Sequence, residues 1–83
     1  MDIVGENRAF GYTIYKEPRD APGYYVVRGW DIESGDVVLH EDAIAVPLSD
    51  IALAVIRESL LEGGLVCLGR EDGDDPQILE SWV

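Results

Sequence analysis

Histidine and cysteine each occur once in this sequence, as His40 and Cys67. One cysteine excludes an internal disulfide framework and fits a reducing cytosol. Nucleophilic catalysis needs a nucleophile, a base and an orienting group, and the only thiol and only imidazole stand in separate strand-like segments. His40 beside Glu41 and Asp42 can titrate or meet a metal ion, yet one histidine supplies no ligand set. No apolar run approaches the roughly 20 residues of a membrane-spanning helix. The opening MDIVGENRAF lacks a basic region followed by an apolar core, so no signal peptide is expected. Bases are few: Arg8, Lys16, Arg19, Arg28, Arg57 and Arg70 are scattered, which argues against a basic, aromatic-interleaved nucleic-acid surface. Phosphate-cradling loops are missing too, because Gly63-Gly64 follows a predicted helix instead of preceding one.

What is abundant is acid. Seventeen Asp and Glu against 6 Lys and Arg give a formal net charge of −11 on 83 residues. Such a surface repels nucleic acid and anionic membrane and steers basic partners toward it. It also costs stability through self-repulsion, and solubility or a high-salt habitat is the plain account of why that cost is tolerated. The hydrophobic fraction of 47% is normal for a globular chain, and the length suits one small domain, residues 1–83.

The pattern along the chain predicts six elements. Phe10–Lys16 alternates Phe10, Tyr12 and Ile14 against Gly11, Thr13 and Tyr15, as a strand does. Two prolines and a glycine in Glu17–Gly23 end it. Tyr24–Ile32 is rich in β-branched and aromatic residues. Glu33-Ser-Gly-Asp36 reads as a tight hairpin turn with Gly35 at positive φ. Val37–Val46 reads as a third strand, bulged or broken at His40-Glu41-Asp42. Ser49 is a candidate N-cap for a helix over Asp50–Glu62, with Gly63-Gly64 as its stop.

Ala52, Leu53, Ile56 and Leu60 share one face of that helix. Ile51, Ala54, Val55 and Leu61 fall outside the stripe, so the helix is either deeply packed or presents a dimer contact. Leu65–Gly69 and Gln77–Val83 are two more short strands. In the latter, Ile78, Glu80 and Trp82 alternate with Leu79, Ser81 and Val83. The order βββαββ predicts an α+β fold, an antiparallel sheet of about five strands with one helix packed on a face. A small, half-open barrel is the alternative.

Candidate contact residues follow from charge distribution. Asp31, Glu33 and Asp36, with Glu41 and Asp42, gather around the central hairpin. Glu71, Asp72, Asp74 and Asp75, with Glu80, gather at the C-terminal hairpin, the first four in its loop. That loop fails as an EF-hand: counted from Asp72, the glycine stands second and the fifth position is Pro76. Weak calcium binding through Asp72, Asp74 and Asp75 and a plain solvated loop remain open. Side chains two apart on a strand lie about 6.7 Å apart, and one DNA strand carries a phosphate roughly every 3.4 Å of axis. Rows of carboxylates can therefore imitate spaced phosphates without matching each one. Trp30, Tyr24 or Tyr25 is a candidate anchor if exposed. Cys67, between Val66 and Leu68, is expected to be a small buried hydrophobe; if exposed, it joins Ile51 and Val55 as a possible dimer contact.

Small size, strong acidity, the "ESGD…HED" and "GREDGDD" stretches, one cysteine and no catalytic set resemble the small anti-CRISPR proteins of phages and mobile elements. The resemblance lies in overall character and transfers no individual residue. It implies a non-enzymatic cytosolic inhibitor, without a cofactor, that covers the nucleic-acid-binding surface of a CRISPR effector complex. The closing "LVCLGREDGDDPQILESWV" also resembles the endings of small bacterial proteins, which implies a housekeeping or defence-island role. The rival expectation is a homodimeric accessory protein whose acidity only keeps it soluble. An enzyme would need a second chain to complete its site.

Overall fold

The computed structural model describes residues 3–5 and 8–83, so Met1, Asp2, Glu6 and Asn7, part of the stretch read for a leader, lie outside the described residues. The chain forms β1 (Gly11–Lys16), β2 (Tyr24–Glu33), β3 (Asp36–Pro47), α1 (Asp50–Glu62), β4 (Cys67–Gly69) and β5 (Ile78–Trp82). All pairings are antiparallel, in the spatial order β3-β2-β1-β5-β4. This is the expected α+β fold, with an open sheet whose edges are β3 and β4.

Local chemistry sets the connections. Ser34 (φ 52°) and Gly35 (φ 85°) both take positive φ between the paired Glu33 and Asp36. A two-residue turn of this hand matches the strand twist. Ser49 caps α1 by accepting the Ala52 N–H at 2.9 Å, and Gly64 (φ 84°) takes the left-handed position just past its end. The β3–α1–β4 connection carries the chain from one sheet edge to the other, with α1 over one face. Among the described residues, no helix is long and apolar enough to cross a membrane.

That covered face holds the core. Tyr12 and Ile14 of β1, Tyr25 and Val27 of β2, and Trp82 of β5 pack with Ile56 and Leu60 of α1. Ile14, Ile56 and Leu60 are completely enclosed. Ile3 and Val4 complete this layer from the N-terminal side. The Ile3 N–H donates to Ser59 Oγ at 3.0 Å, and Val4 lies so close to Gly63 that a Cβ there would come within 2.7 Å of it. α1 buries one stripe only: Ile51, Val55 and Leu61 are exposed, Ile51 to 79%. The expectation of a deeply packed helix is therefore corrected, because nothing among the described residues covers its outer face.

The opposite sheet face carries no helix. Trp30 lies flat over β1, so a Cβ at its partner Gly11 would sit 2.3 Å from the indole ring. Glycine is required there for the close approach. The indole N–H donates to Thr13 Oγ1 at 3.1 Å, and Thr13 lies 3.3 Å from Ser81 Oγ. Thr13 is thereby buried on the face that lacks a helix.

Candidate functional site: two acidic ends and an open apolar face

The pairing register sends the two predicted acidic groups to opposite ends of the sheet. Glu33 and Asp36 close β2 and β3 beyond the Ile32–Val37 pair. The 70–77 loop joins β4 to β5 at the other end, where Ile78 pairs with Tyr15 and Tyr25 pairs with Lys16. Nine residue steps of β2 separate these ends, about 30 Å at roughly 3.3 Å per step. The structure therefore does not bring Asp31, Glu33 and Asp36 together with Glu71, Asp72, Asp74 and Asp75.

Within each group the carboxylates differ. Asp31 is engaged: one oxygen accepts the Phe10 N–H at 2.9 Å and the other lies 2.6 Å from His40 Nε2. The His40 hydrogen bond, then that of Phe10, hold the Asp31 carboxyl below the usual range. Opposite Gly29 the ladder shifts register, and His40, Glu41 and Asp42 bulge out together. Arg28 clamps that bulge, donating to the carbonyls of His40 and Glu41. Glu33, Asp36, Glu41 and Asp42 are exposed.

In the 70–77 loop, Asp74 accepts the Glu71 N–H and Asp75 the Gln77 N–H, both at 2.9 Å. These two shape the turn, while Glu71 and Asp72 project into solvent. Such self-capping by aspartate is ordinary loop chemistry. Among the described residues no three His, Cys, Asp or Glu side chains converge as a metal site would require.

Three of the six bases, Arg28, Arg57 and Arg70, are engaged in internal ties. Arg28 holds main-chain carbonyls, and Arg70 donates to the Asp74 carbonyl at 3.1 Å. Arg57 of α1 grips Glu80 of β5 through Nε at 3.2 Å and a terminal nitrogen at 2.5 Å. Among the described residues this is the only Lys or Arg ion pair with a carboxylate. Most of the negative charge is thus left without a local counter-charge.

Glu80 corrects its grouping with the C-terminal surface acids: it is a carboxylate 6% exposed on the core face, because its place in the β5 alternation turns it toward α1. Trp82 donates its indole N–H to it at 2.6 Å, and the Cys67 thiol lies 3.6 Å away. Burial pushes this carboxyl up, but Arg57 and Trp82 outweigh burial and hold it below the usual carboxylate range. The alternation of Ile78, Glu80 and Trp82 placed Glu80 on the side of Trp82. That Arg57 would answer it across 23 positions depends on where α1 crosses β5.

Cys67 corrects an expectation: it is exposed. β4 is a three-residue edge strand, and α1 leaves its outer flank uncovered. Of the other candidate dimer residues, Ile51 stands in the first turn of α1 and Val55 one turn on, both exposed. Among the candidate anchors, Tyr25 is buried, Tyr24 is 41% exposed and Trp30 is half-buried.

Sequence reasoning missed an apolar patch on the face without a helix. Register places Trp30 opposite Leu39 and Ile32 opposite Val37, all on that face. Phe10 adds its ring 5.6 Å from that of Trp30. Phe10, Ile32, Val37 and Leu39 are each at least half exposed. Val37, Val38 and Leu39 form a continuous apolar run, so β3 carries no two-residue period there to say which side chains share a face. No family model, curated protein or solved structure matches this chain.

Proposed function

We propose that this protein is a non-enzymatic inhibitor that docks its acidic surface on a cationic, nucleic-acid-binding surface of another protein. The observation that carries this reading is uncompensated charge: a net −11 in which a single carboxylate among the described residues is paired with an arginine or lysine. Carboxylates at a strand end, such as Glu33 and Asp36, or in a short self-capped loop, such as Glu71 and Asp72, start from a fixed backbone, and they need not carry a condensed counterion atmosphere as DNA does. The resemblance in character to anti-CRISPR proteins makes a CRISPR effector complex the concrete target. The acids at the two ends supply the contacts, Glu33 and Asp36 at one and Glu71 and Asp72 at the other. Asp31, Asp74 and Asp75 support these ends through their internal bonds.

The test is DNA binding by a purified CRISPR effector complex in the presence of this protein, followed as salt is raised, together with plasmid transformation in cells carrying the active system. Inhibition should fall steeply between about 50 and 200 mM salt, since exposed charges are screened over about 10 Å at 0.1 M. E33K/D36K and E71K/D72K, made separately, identify the end that docks. Full inhibition by both reversed variants, or inhibition indifferent to salt, refutes the proposal.

A second reading, a homodimeric accessory protein, draws on the exposed Ile51, Val55 and Cys67. Sedimentation equilibrium decides it: a dimer that I51S/V55S converts to monomer, without any effect on effector binding, favours this second reading.

A further inference from the structure

β3 is the longest strand of the sheet and lies at its edge. Among the described residues, no main-chain to main-chain bond from outside β2 reaches Asp36–Pro47. A two-residue turn closes on a hydrogen-bonded pair, here Glu33 and Asp36, and bonded and non-bonded pairs alternate from there. Ile32–Val37 and Trp30–Leu39 are therefore pairs of the second kind. Val37 and Leu39 thus turn their N–H and C=O groups away from β2, toward solvent. The bulge at 40–42 ends this regular stretch. An edge with unpaired main-chain groups is a template for one more strand.

The side chains of the stretch are sorted by face. Val37 and Leu39 project on the face without a helix, beside Ile32 and Trp30. Asp36 and Val38 project on the other, because their partners Glu33 and Asp31 follow the core residues Tyr25 and Val27 at two-residue steps along β2. α1 does not cover this end of its face: Glu33, Asp36 and Val38 are exposed. On that same face, Glu41 and Asp42 line with His40 an open groove of about 500 Å³ over Val27 and Gly29. One edge therefore presents apolar side chains on one side of the sheet and carboxylates on the other.

We infer that the free edge of β3 over Asp36–Leu39 takes up an extended segment of a basic protein as a sixth strand, and that this segment alternates basic with apolar residues. The sorting by face selects the alternation. Residues paired across neighbouring strands share a face. An added strand therefore sets every second side chain against Val37 and Leu39, and the others beside Asp36 and Val38. Apolar residues suit the first set. Lys or Arg suits the second, its stem lying over Val38 and its charge meeting Asp36 and Glu33. A second copy is disfavoured: it would set Glu33, Asp36, Glu41 and Asp42 of both chains along one seam, with −11 on each chain, and like charges on adjacent strands repel. This inference rests on the proposal that the acidic surface docks on a basic protein, and adds the mode of binding, the end used and the pattern the partner must carry.

The experiment titrates three short synthetic peptides of equal length and charge into the full-length protein at about 150 mM salt. One alternates Lys with Val. The second carries the same residues as a Lys block followed by a Val block. The third is the alternating peptide with its valine main-chain nitrogens methylated, which removes the donors an added strand needs. Calorimetry gives the affinities, and backbone amide shifts and hydrogen exchange locate the contact. The alternating peptide is expected to bind at least about tenfold tighter than either of the others. Its largest shifts should fall on Asp36–Leu39, and the Val37 and Leu39 amides should gain protection from exchange. Proline is tolerated at an edge position whose N–H faces solvent. L39P should therefore keep the fold, as circular dichroism verifies, and lower the alternating peptide to the affinity of the block peptide. The methylated peptide makes the same test on the unaltered protein.

Equal affinity for the alternating and block peptides, no loss on methylation, or no gain of protection at Val37 and Leu39 overturns the inference. A dimer of the unaltered protein that L39P dissociates also overturns it, assigning the edge to a second copy. Where all three peptides bind equally and with steep salt dependence, the acidic-docking proposal stands and only this inference falls. Failure of all three cationic peptides to bind refutes the two together.

Discussion

Removing Arg57 should make the stability of this protein respond to pH in a direction opposite to that of the intact ion pair. Glu80 is 8% exposed at the side chain and Arg57 44%. Deleting one member of a fully buried pair costs about 3–5 kcal/mol because a lone charge stays behind. Solvent already screens the arginine side, so about 2–3 kcal/mol is expected for R57A at pH 7. For a domain of this size that is a fall in Tm of about 10–20 °C.

The pH dependence sharpens the test. In the intact protein the Glu80 carboxyl is held low, so its contribution is complete above the unfolded carboxylate pKa and is lost as pH falls through the folded value. Without Arg57, burial is the largest remaining influence on that carboxyl and pushes it up. The variant then loses stability as pH rises from the unfolded value through the raised folded one. Both effects shrink the difference between the two proteins on acidification. Urea unfolding from pH 7 to pH 4, followed by tryptophan fluorescence, should show the R57A penalty falling to about 1 kcal/mol.

R19A, which removes an exposed arginine, controls for net charge. E80Q keeps an acceptor for the Trp82 N–H and should cost about 1–2 kcal/mol. R57A/E80Q should be within about 0.5 kcal/mol of E80Q alone, since the two residues act as one unit. A penalty for R57A that is constant or larger at pH 4 refutes the reasoning, as does strict additivity of the two substitutions.

Other consequences of the structure are equally direct. G11A places a methyl group 2.3 Å from the Trp30 ring, so the indole must move and surrender its bond to Thr13. A loss of about 1–3 kcal/mol is expected, with a changed near-ultraviolet circular dichroism spectrum; an unchanged spectrum and midpoint contradict the stacking. S34G relieves a non-glycine residue at φ 52° in the β2–β3 turn and should raise the urea midpoint slightly, by about 0.5 kcal/mol of stability, whereas S34V should lower it. I56A empties a site with no exposure at all and should cost about 2–5 kcal/mol in the same assay.

Much of this architecture was legible in the sequence because it depends on neighbours along the chain. Ser49 and Gly63-Gly64 bounded α1 where the structure has it, since caps answer backbone groups only a few residues away. Ser34-Gly35 announced the hairpin, because a two-residue turn needs positive φ at both positions. The disruption at His40-Glu41-Asp42 was visible as polar residues interrupting a strand. The charge of −11 and the scarcity of histidine and cysteine needed no structure either, and they carry most of the functional proposal.

Register and coverage belonged to the tertiary structure. Cys67 read as buried from its apolar neighbours, yet it stands on the sheet edge, and no sequence period says which strand lies outermost. Ile51 and Leu61 read as packed or self-associating, but α1 has a single sheet to cover and leaves them in water. The sequence showed two acidic groups but not their separation; antiparallel pairing sends them about 30 Å apart, because the hairpin turn and the C-terminal loop leave opposite ends of the same strands. Arg57 met Glu80, and Phe10 met Trp30, only through strand order and the path of the helix across the sheet. Composition determined the charge this protein carries, and the three-dimensional pairing decided how that charge and the exposed apolar side chains are distributed over the sheet.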